Sequence, residues 1–174
     1  IIPHASYVIS GLLVSHNDIS SVFDAYHDKG SVDVRDICLI WGENLEGPEY
    51  LHVSFWNETW SCHYRIEDEQ IASVFRGDQL SNNHLLAGSP EIKAKILSAF
   101  PGDQIRISGK LVDYFPVGAS EQVRETSLVR DDIGNGACEV VLVDNFEILK
   151  STSPLSAHVV RPLRLLVAVL LLLR

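Results

Sequence analysis

The stretch from Tyr50 to Ile66, YLHVSFWNETWSCHYRI, alternates apolar and polar residues on both sides of a short polar break. Leu51, Val53 and Phe55 share one face on the way in. Trp60, Cys62, Tyr64 and Ile66 share one on the way out, with Asn57-Glu58-Thr59 between them. A period of two puts successive side chains on opposite faces of a strand, so the segment predicts an antiparallel hairpin with one half-buried face. Parallel strands need long crossovers, usually helical, so a chain whose clearest signal is a hairpin is a poor candidate for an all-parallel α/β sheet.

The same periodicities assign the other elements. YVISGLLV, from Tyr7, and DVRDICLIWG, from Asp33, predict strands, the second too continuously apolar to have a wet face. HNDISSVFDAYHDKG spaces Ile19, Val22, Phe23 and Tyr26 as a short amphipathic helix, with Asn17 or Asp18 as N-cap and Gly30 past its end. ENLEGPE is a turn-rich connection. EDEQIASVF predicts a helical turn, and PEIKAKILSAF a helix opened by Pro90 and closed by Pro101-Gly102-Asp103. RGDQLSNNHLLAGS, between those two helices, is the longest irregular polar stretch and reads as a loop. QIRISGKLVDYF is a strand with Ile105, Ile107, Gly109 and Leu111 on one face. VRETSLVR and ACEVVLVDNFEIL supply the last strands, with Asn135-Gly136 as a type I′ turn between them.

These elements predict an α+β fold built on a small curved antiparallel sheet or OB-like barrel, with two or three short helices. Gly109, inside a long strand, is the device by which such a strand bends. The compact domain spans 1–149. Residues 150–158 form a polar linker, and 159–174 (VVRPLRLLVAVLLLLR) a C-terminal apolar helix. Its run from Leu165 to Leu173 is short of the ~20 residues of a spanning helix. The reading is a membrane-associated or partner-docked segment carried by Leu165, Leu166, Val167, Val169, Leu170 and Leu171. The chain begins at Ile1 and has no Met, as expected of a processed or incompletely represented product.

The formal charge of −9, with 14 scattered Lys and Arg, argues against a general binder of phosphate backbones. An OB-type oligonucleotide or glycan binder would have only Trp56, Trp60, Arg106 and Lys110 to offer. Three cysteines cannot all pair within one chain, and none has metal-site spacing; Cys38 and Cys62, mid-strand in elements that can be neighbours, are the candidate disulfide. His52 and His63, on opposite arms of the hairpin, lack a third ligand in register, so no metal and no cofactor is expected. The Asp131–Glu139 segment resembles a calcium loop only in composition: its third position is Ile133 and its twelfth Leu142.

Catalytic candidates concentrate in the Ser81–His84 segment. His84 has the chemistry of an acid, base or ligand near neutral pH, and Ser81, Asn82 and Asn83 of an orienting group; each also suits a helix cap or a loop satisfying its own backbone. Cys138 is a candidate nucleophile only if a base reaches it from elsewhere in the fold, since its neighbour Glu139 disfavours a thiolate.

Four stretches, DICLIWGENL, LSNNHLLAGSP, GDQIRISGKLVDYF and SLVRDDIGNGACEVVLV, resemble in order and spacing an uncharacterised family of single-span, membrane-anchored bacterial envelope proteins. That family has no assigned activity, so no catalytic residue carries over. It bears its anchor at the N-terminus, and a tryptophan-rich strand where this chain reads VGASEQVRETS. With no complete catalytic constellation in the sequence, the leading expectation is a non-catalytic, membrane-tethered accessory subunit of an envelope complex. Its soluble domain would be extracytoplasmic, its partners the membrane and membrane-protein subunits, with no nucleic acid and no identified small-molecule substrate. The alternatives are a hydrolase or thiol enzyme centred on the Ser81–His84 loop and Cys138, and the OB-type binder.

Overall fold

The structure is a computed structural model that describes residues 1–19, 33–58, 60–115, 123–129 and 137–152. Its strands are β1 (Ile2–Asp18), β2 (Asp33–Ile40), β3 (Ser54–Glu58), β4 (Ser61–Arg65), β5 (Leu80–Ala87), β6 (Gln104–Asp113) and β7 (Glu139–Lys150). Two short α-helices, α1 (Glu69–Val74) and α2 (Pro90–Ser98), lie between β4 and β5 and between β5 and β6. The protein is mostly sheet.

Five strands close into a barrel in the order β1-β2-β5-β7-β6, with β6 returning to pair with β1. Every pairing is antiparallel except β5 with β7. Numbered along the chain, the barrel strands run one, two, three, five, four, with α2 between the third and fourth. This is the Greek-key order of an OB-like barrel. β3 and β4 pair as a separate hairpin, inserted with α1 between the second and third barrel strands.

The barrel closes because β6 bends. The β6 register shifts at Ser108/Gly109, and a Cβ at Gly109 would run into the Leu142 carbonyl oxygen of β7, so only glycine permits this approach. Inside, Ile9, Leu13, Ile37, Leu39, Ile107 and Phe146 form the core, and Ile96 of α2 plugs one end. α2 starts where expected: Ser89 accepts from the Ile92 amide and Pro90 occupies the first turn. Its other end is held by a barrel side chain. Buried Arg35 of β2 donates to the carbonyls of Ile96 (3.0 Å), Ala99 (2.7 Å) and Leu97 (3.3 Å) and pairs with Asp18 at 2.5 Å. A cation there satisfies orphan carbonyls and complements the negative end of the helix dipole.

Several expectations are corrected. Ser81–Ala87 is no loop but the interior of β5, because partners elsewhere in the fold satisfy its polar side chains. β1 runs on to Asp18, where a helix cap was expected, and 123–129 is irregular apart from one bridge between Arg124 and Tyr114. His52 sits in a 3-10 turn and His63 lies opposite Trp56, so the two do not face each other. The rest of the expected first helix, the Asn135-Gly136 turn, the linker beyond Thr152 and the apolar segment with Leu165, Leu166, Val167, Val169, Leu170 and Leu171 lie outside the described residues. Among the described residues no helix is long and apolar enough to cross a membrane.

Candidate functional site

β2 and β5 alternate in opposite senses across the barrel wall. Ile37 and Leu39 point into the core, which leaves Asp36 and Cys38 on the outer surface beside His84 and Asn82 of β5. The β3–β4 hairpin lies over this surface. It is fastened by a disulfide between Cys38 and Cys62, by Asn57 Nδ2 donating to Asn82 Oδ1 (3.1 Å), and by Ser15 Oγ donating to Asn57 Oδ1 (2.6 Å).

Beneath the hairpin tip, His84 and Asp36 are each 1% exposed, and His84 Nδ1 stands 2.5 Å from Asp36 Oδ1. The other Asp36 oxygen has no hydrogen-bond partner among the described residues. Arg124 Nη2 reaches His84 Nε2 at 2.9 Å, and its guanidinium lies 4.0 Å from the centre of the Trp60 ring. The Trp60 ring packs against His84 with centroids 5.5 Å apart. Arg124 is placed by its two backbone hydrogen bonds to Tyr114, and the irregular segment that follows is tied in turn by the Ser127 amide donating to the Cys138 carbonyl. The Cys138 thiol donates to the Trp60 carbonyl (3.5 Å) and accepts from Asn82 Nδ2 (3.7 Å).

Trp60 has φ of 72°, a left-handed conformation that costs a bulky residue energy. It lets one residue do two things: the ring covers His84, and the carbonyl meets Asn82 Nδ2 (3.2 Å) and the thiol.

Opposed influences set the charge of His84. Burial disfavours the imidazolium, but hydrogen bonds and charge from Asp36 and Cys138 outweigh it and raise the pKa from 6.5 to about 9. Arg124 pulls the other way, because a guanidinium only donates and its contact requires a bare Nε2. The Asp36 effect is the stronger: that contact is shorter and wholly buried, while Arg124 is partly exposed to water. The Nδ1 proton faces Asp36 in either state, and Nε2 is the position that exchanges.

The structure thus brings together His84, Asn82 and Cys138 of the sequence candidates. Ser81 and Asn83 belong to the inner surface: Tyr7 donates its hydroxyl proton to Asn83 Oδ1 (2.8 Å), and Asn83 Nδ2 donates to Ser81 Oγ (2.9 Å). Asp36, Arg124 and the role of Trp60 went unread. A carboxylate inside the apolar run DVRDICLI was the one available signal. Among the described residues no group of three His, Cys, Asp or Glu stands in a metal-binding arrangement.

The hairpin's other surface meets solvent. Trp56 and His63, paired across β3 and β4, stack with rings 5.4 Å apart and 18° from parallel, and exposed Arg65 follows on the same face. Trp56 is 40% exposed. Arg106 and Lys110 lie on β6, between β1 and β7, and do not join the tryptophans in one groove.

No protein-family model and no curated protein matches the chain. Solved structures do. The yeast (S. cerevisiae) mitochondrial single-stranded DNA-binding protein Rim1 is similar at 10% identity and a TM-score of 0.36, over 86% of this chain and 97% of that one. A small single-stranded DNA-binding protein from Streptomyces coelicolor is similar at 10% identity and a TM-score of 0.33, over 83% and 93%. These matches are to DNA-binding proteins and not to envelope subunits. They correct three expectations: a membrane-tethered accessory subunit, a partner list without nucleic acid, and a membrane-associated extracytoplasmic location.

Proposed function

We propose that the chain is an OB-type domain that binds single-stranded oligonucleotide. The observation that carries the proposal is the Trp56–His63 stack on the outward face of a hairpin seated on β2 and β5. In OB-like barrels the face of the second and third strands is the ligand surface. Here that face is roofed, and the roof presents its own aromatic platform. Bases stack on aromatic rings whatever their sequence, at about 1–3 kcal/mol per base. Arg65 is positioned for a phosphate, while Glu58, whose carboxylate lies 3.5 Å from Trp56 Nε1 and 3.7 Å from His63 Nε2, opposes one.

The test is fluorescence anisotropy with a labelled oligothymidylate of about 12 nucleotides, within the span of an OB-type site. Binding by the wild type should weaken by about tenfold in Trp56→Ala, the value of one stacked base. Glu58→Gln should tighten it. No binding at low salt, or binding indifferent to Trp56, would sink the proposal. Competition by a soluble oligosaccharide and not by DNA would reassign the platform to glycans.

A further inference from the structure

The hairpin is cross-linked to the barrel at one register level. In the hairpin Asn57 stands opposite Cys62, and in the barrel Cys38 stands opposite Asn82. The Cys38–Cys62 disulfide and the hydrogen bond from Asn57 Nδ2 to Asn82 Oδ1 join one pair to the other. The next pair along the hairpin is Trp56 with His63, whose rings stack on the outward face. A covalent tie thus sits directly behind the aromatic platform. We propose that this disulfide is a redox latch: its reduction by a dithiol releases the hairpin, leaves the barrel folded and withdraws the platform. The release stands on the geometry; its control of oligonucleotide binding rests on the function proposed above.

Two features make the bridge decisive. A two-stranded hairpin is marginal by itself, so β3 and β4 depend on what holds them to the barrel. The polar ties beside the bridge are neutral hydrogen bonds, individually weak: Ser15 to Asn57, Asn57 to Asn82, and Asn82 and Cys138 to the Trp60 carbonyl. Two others keep the release local. The apolar core inside β2 and β5, with Ile37, Leu39 and Leu85, includes neither cysteine. The neck of the insertion is tied independently. Asn44 Nδ2 donates to the carbonyls of Arg76 (2.9 Å) and Gln79 (3.2 Å), its Oδ1 accepts from the Arg76 amide (2.9 Å), and the Trp41 amide donates to the Gln79 carbonyl (3.2 Å). An opened hairpin therefore leaves the ends of β2 and β5 in place.

The chemistry is thiol–disulfide exchange. Cys38 is sealed and Cys62 half-buried, so a reductant thiolate attacks Cys62 Sγ. A mixed disulfide forms on Cys62 as the protein's own S–S bond breaks, and Cys38 leaves as thiolate and takes the proton of the reductant's second thiol. That second sulfur attacks the first, closing the reductant's disulfide. Cys62 departs as thiolate and is protonated by solvent. Two electrons pass from the dithiol to the bridge.

The experiment compares amide hydrogen exchange of the intact protein with and without millimolar dithiothreitol. Alkylation in urea should count three thiols after reduction against one before. Amides of β3 and β4 should then exchange about tenfold or more faster, since a bridge spanning 24 positions removes at least that much freedom from the opened segment. Those of β1, β6 and β7 should keep their protection. Cys62→Ser should reproduce the reduced protein without any reductant. Unchanged hairpin exchange with three thiols present overturns the latch. So does exchange that rises throughout the barrel, which would make the bridge a staple of the whole fold, or a bridge that dithiothreitol opens only in urea. Oligothymidylate binding should fall by about tenfold on reduction, as in Trp56→Ala. Binding that persists while the hairpin loosens overturns its control by the latch. No binding in either state sinks the oligonucleotide reading, and the exchange data still decide the latch.

Discussion

His84 is the residue whose surroundings make the sharpest demand on pH. Its folded pKa is raised from 6.5 to about 9, burial opposing and Asp36 and Cys138 prevailing. A raised basic group binds its proton more tightly folded than unfolded. The stability it contributes is therefore complete below about 6.5 and lost as pH climbs through about 9. Urea denaturation should show a midpoint that falls between pH 6 and 9.5, and a smaller fall in His84→Gln. A midpoint equally flat in both would mean that Asp36 does not hold a proton on the ring. Asp18 works in the opposite sense at the acid end. The His16 ring, 3.4 Å away, and then Arg35 hold its carboxyl down at about 2, so its contribution is present above the ordinary carboxylate range and fades as pH falls through about 2. The histidine was readable in the sequence as a group with chemistry; its partners were not. Asp36 lies 48 positions away and Arg124 40, and neither is marked by local spacing.

Among the elements, the hairpin was the most legible and β5 the least. A period of two around a polar break needs only local sequence; β3 and β4 do pair, with Asn57 opposite Cys62 and Glu58 opposite Ser61, so two residues of the expected break belong to the strand and Trp60 to the turn. Leu80–Ala87 carries Ser, Asn, Asn and His in a row, the composition of a loop, yet six of its eight residues are buried. What overrides composition is long-range satisfaction: Tyr7 reaches Asn83 across 76 positions, and Asn57 reaches Asn82 across 25. The same logic makes Arg35 an element-scale residue, because it joins β2 to the end of α2 through three carbonyls. Arg35→Met keeps much of the stem's packing and strands those carbonyls. It should cost about 2–4 kcal/mol in urea denaturation, from buried charge-assisted hydrogen bonds lost together. A loss below about 0.5 kcal/mol, the scale of a neutral surface change, would show that water replaces the guanidinium at no penalty.

At the scale of the molecule, the barrel order and the acidic composition bear on the same question. Strand pairing between β5 and β7, and closure of β6 onto β1, are long-range facts that no stretch of sequence encodes, although Gly109 marked one bend that closure requires. The charge of −9 was readable at once, and it restricts the way in which such a barrel can hold nucleic acid. Proteins that bind through phosphates release counterions, and for single strands the logarithm of affinity falls with that of salt by about 0.7 per phosphate neutralised. The platform has Arg65 beside it and Arg124 at the hairpin tip, and Glu58 works against both. One or two phosphates is therefore the most this surface engages. Raising sodium chloride from about 50 to about 200 mM should weaken oligothymidylate binding by less than about tenfold. A much steeper dependence would locate the ligand away from Trp56, on a surface where basic side chains are not opposed, and Arg106 and Lys110 of β6 would be the first to replace. A shallow dependence together with a large loss in Trp56→Ala would leave stacking as the main source of affinity, the mode an acidic barrel has open to it.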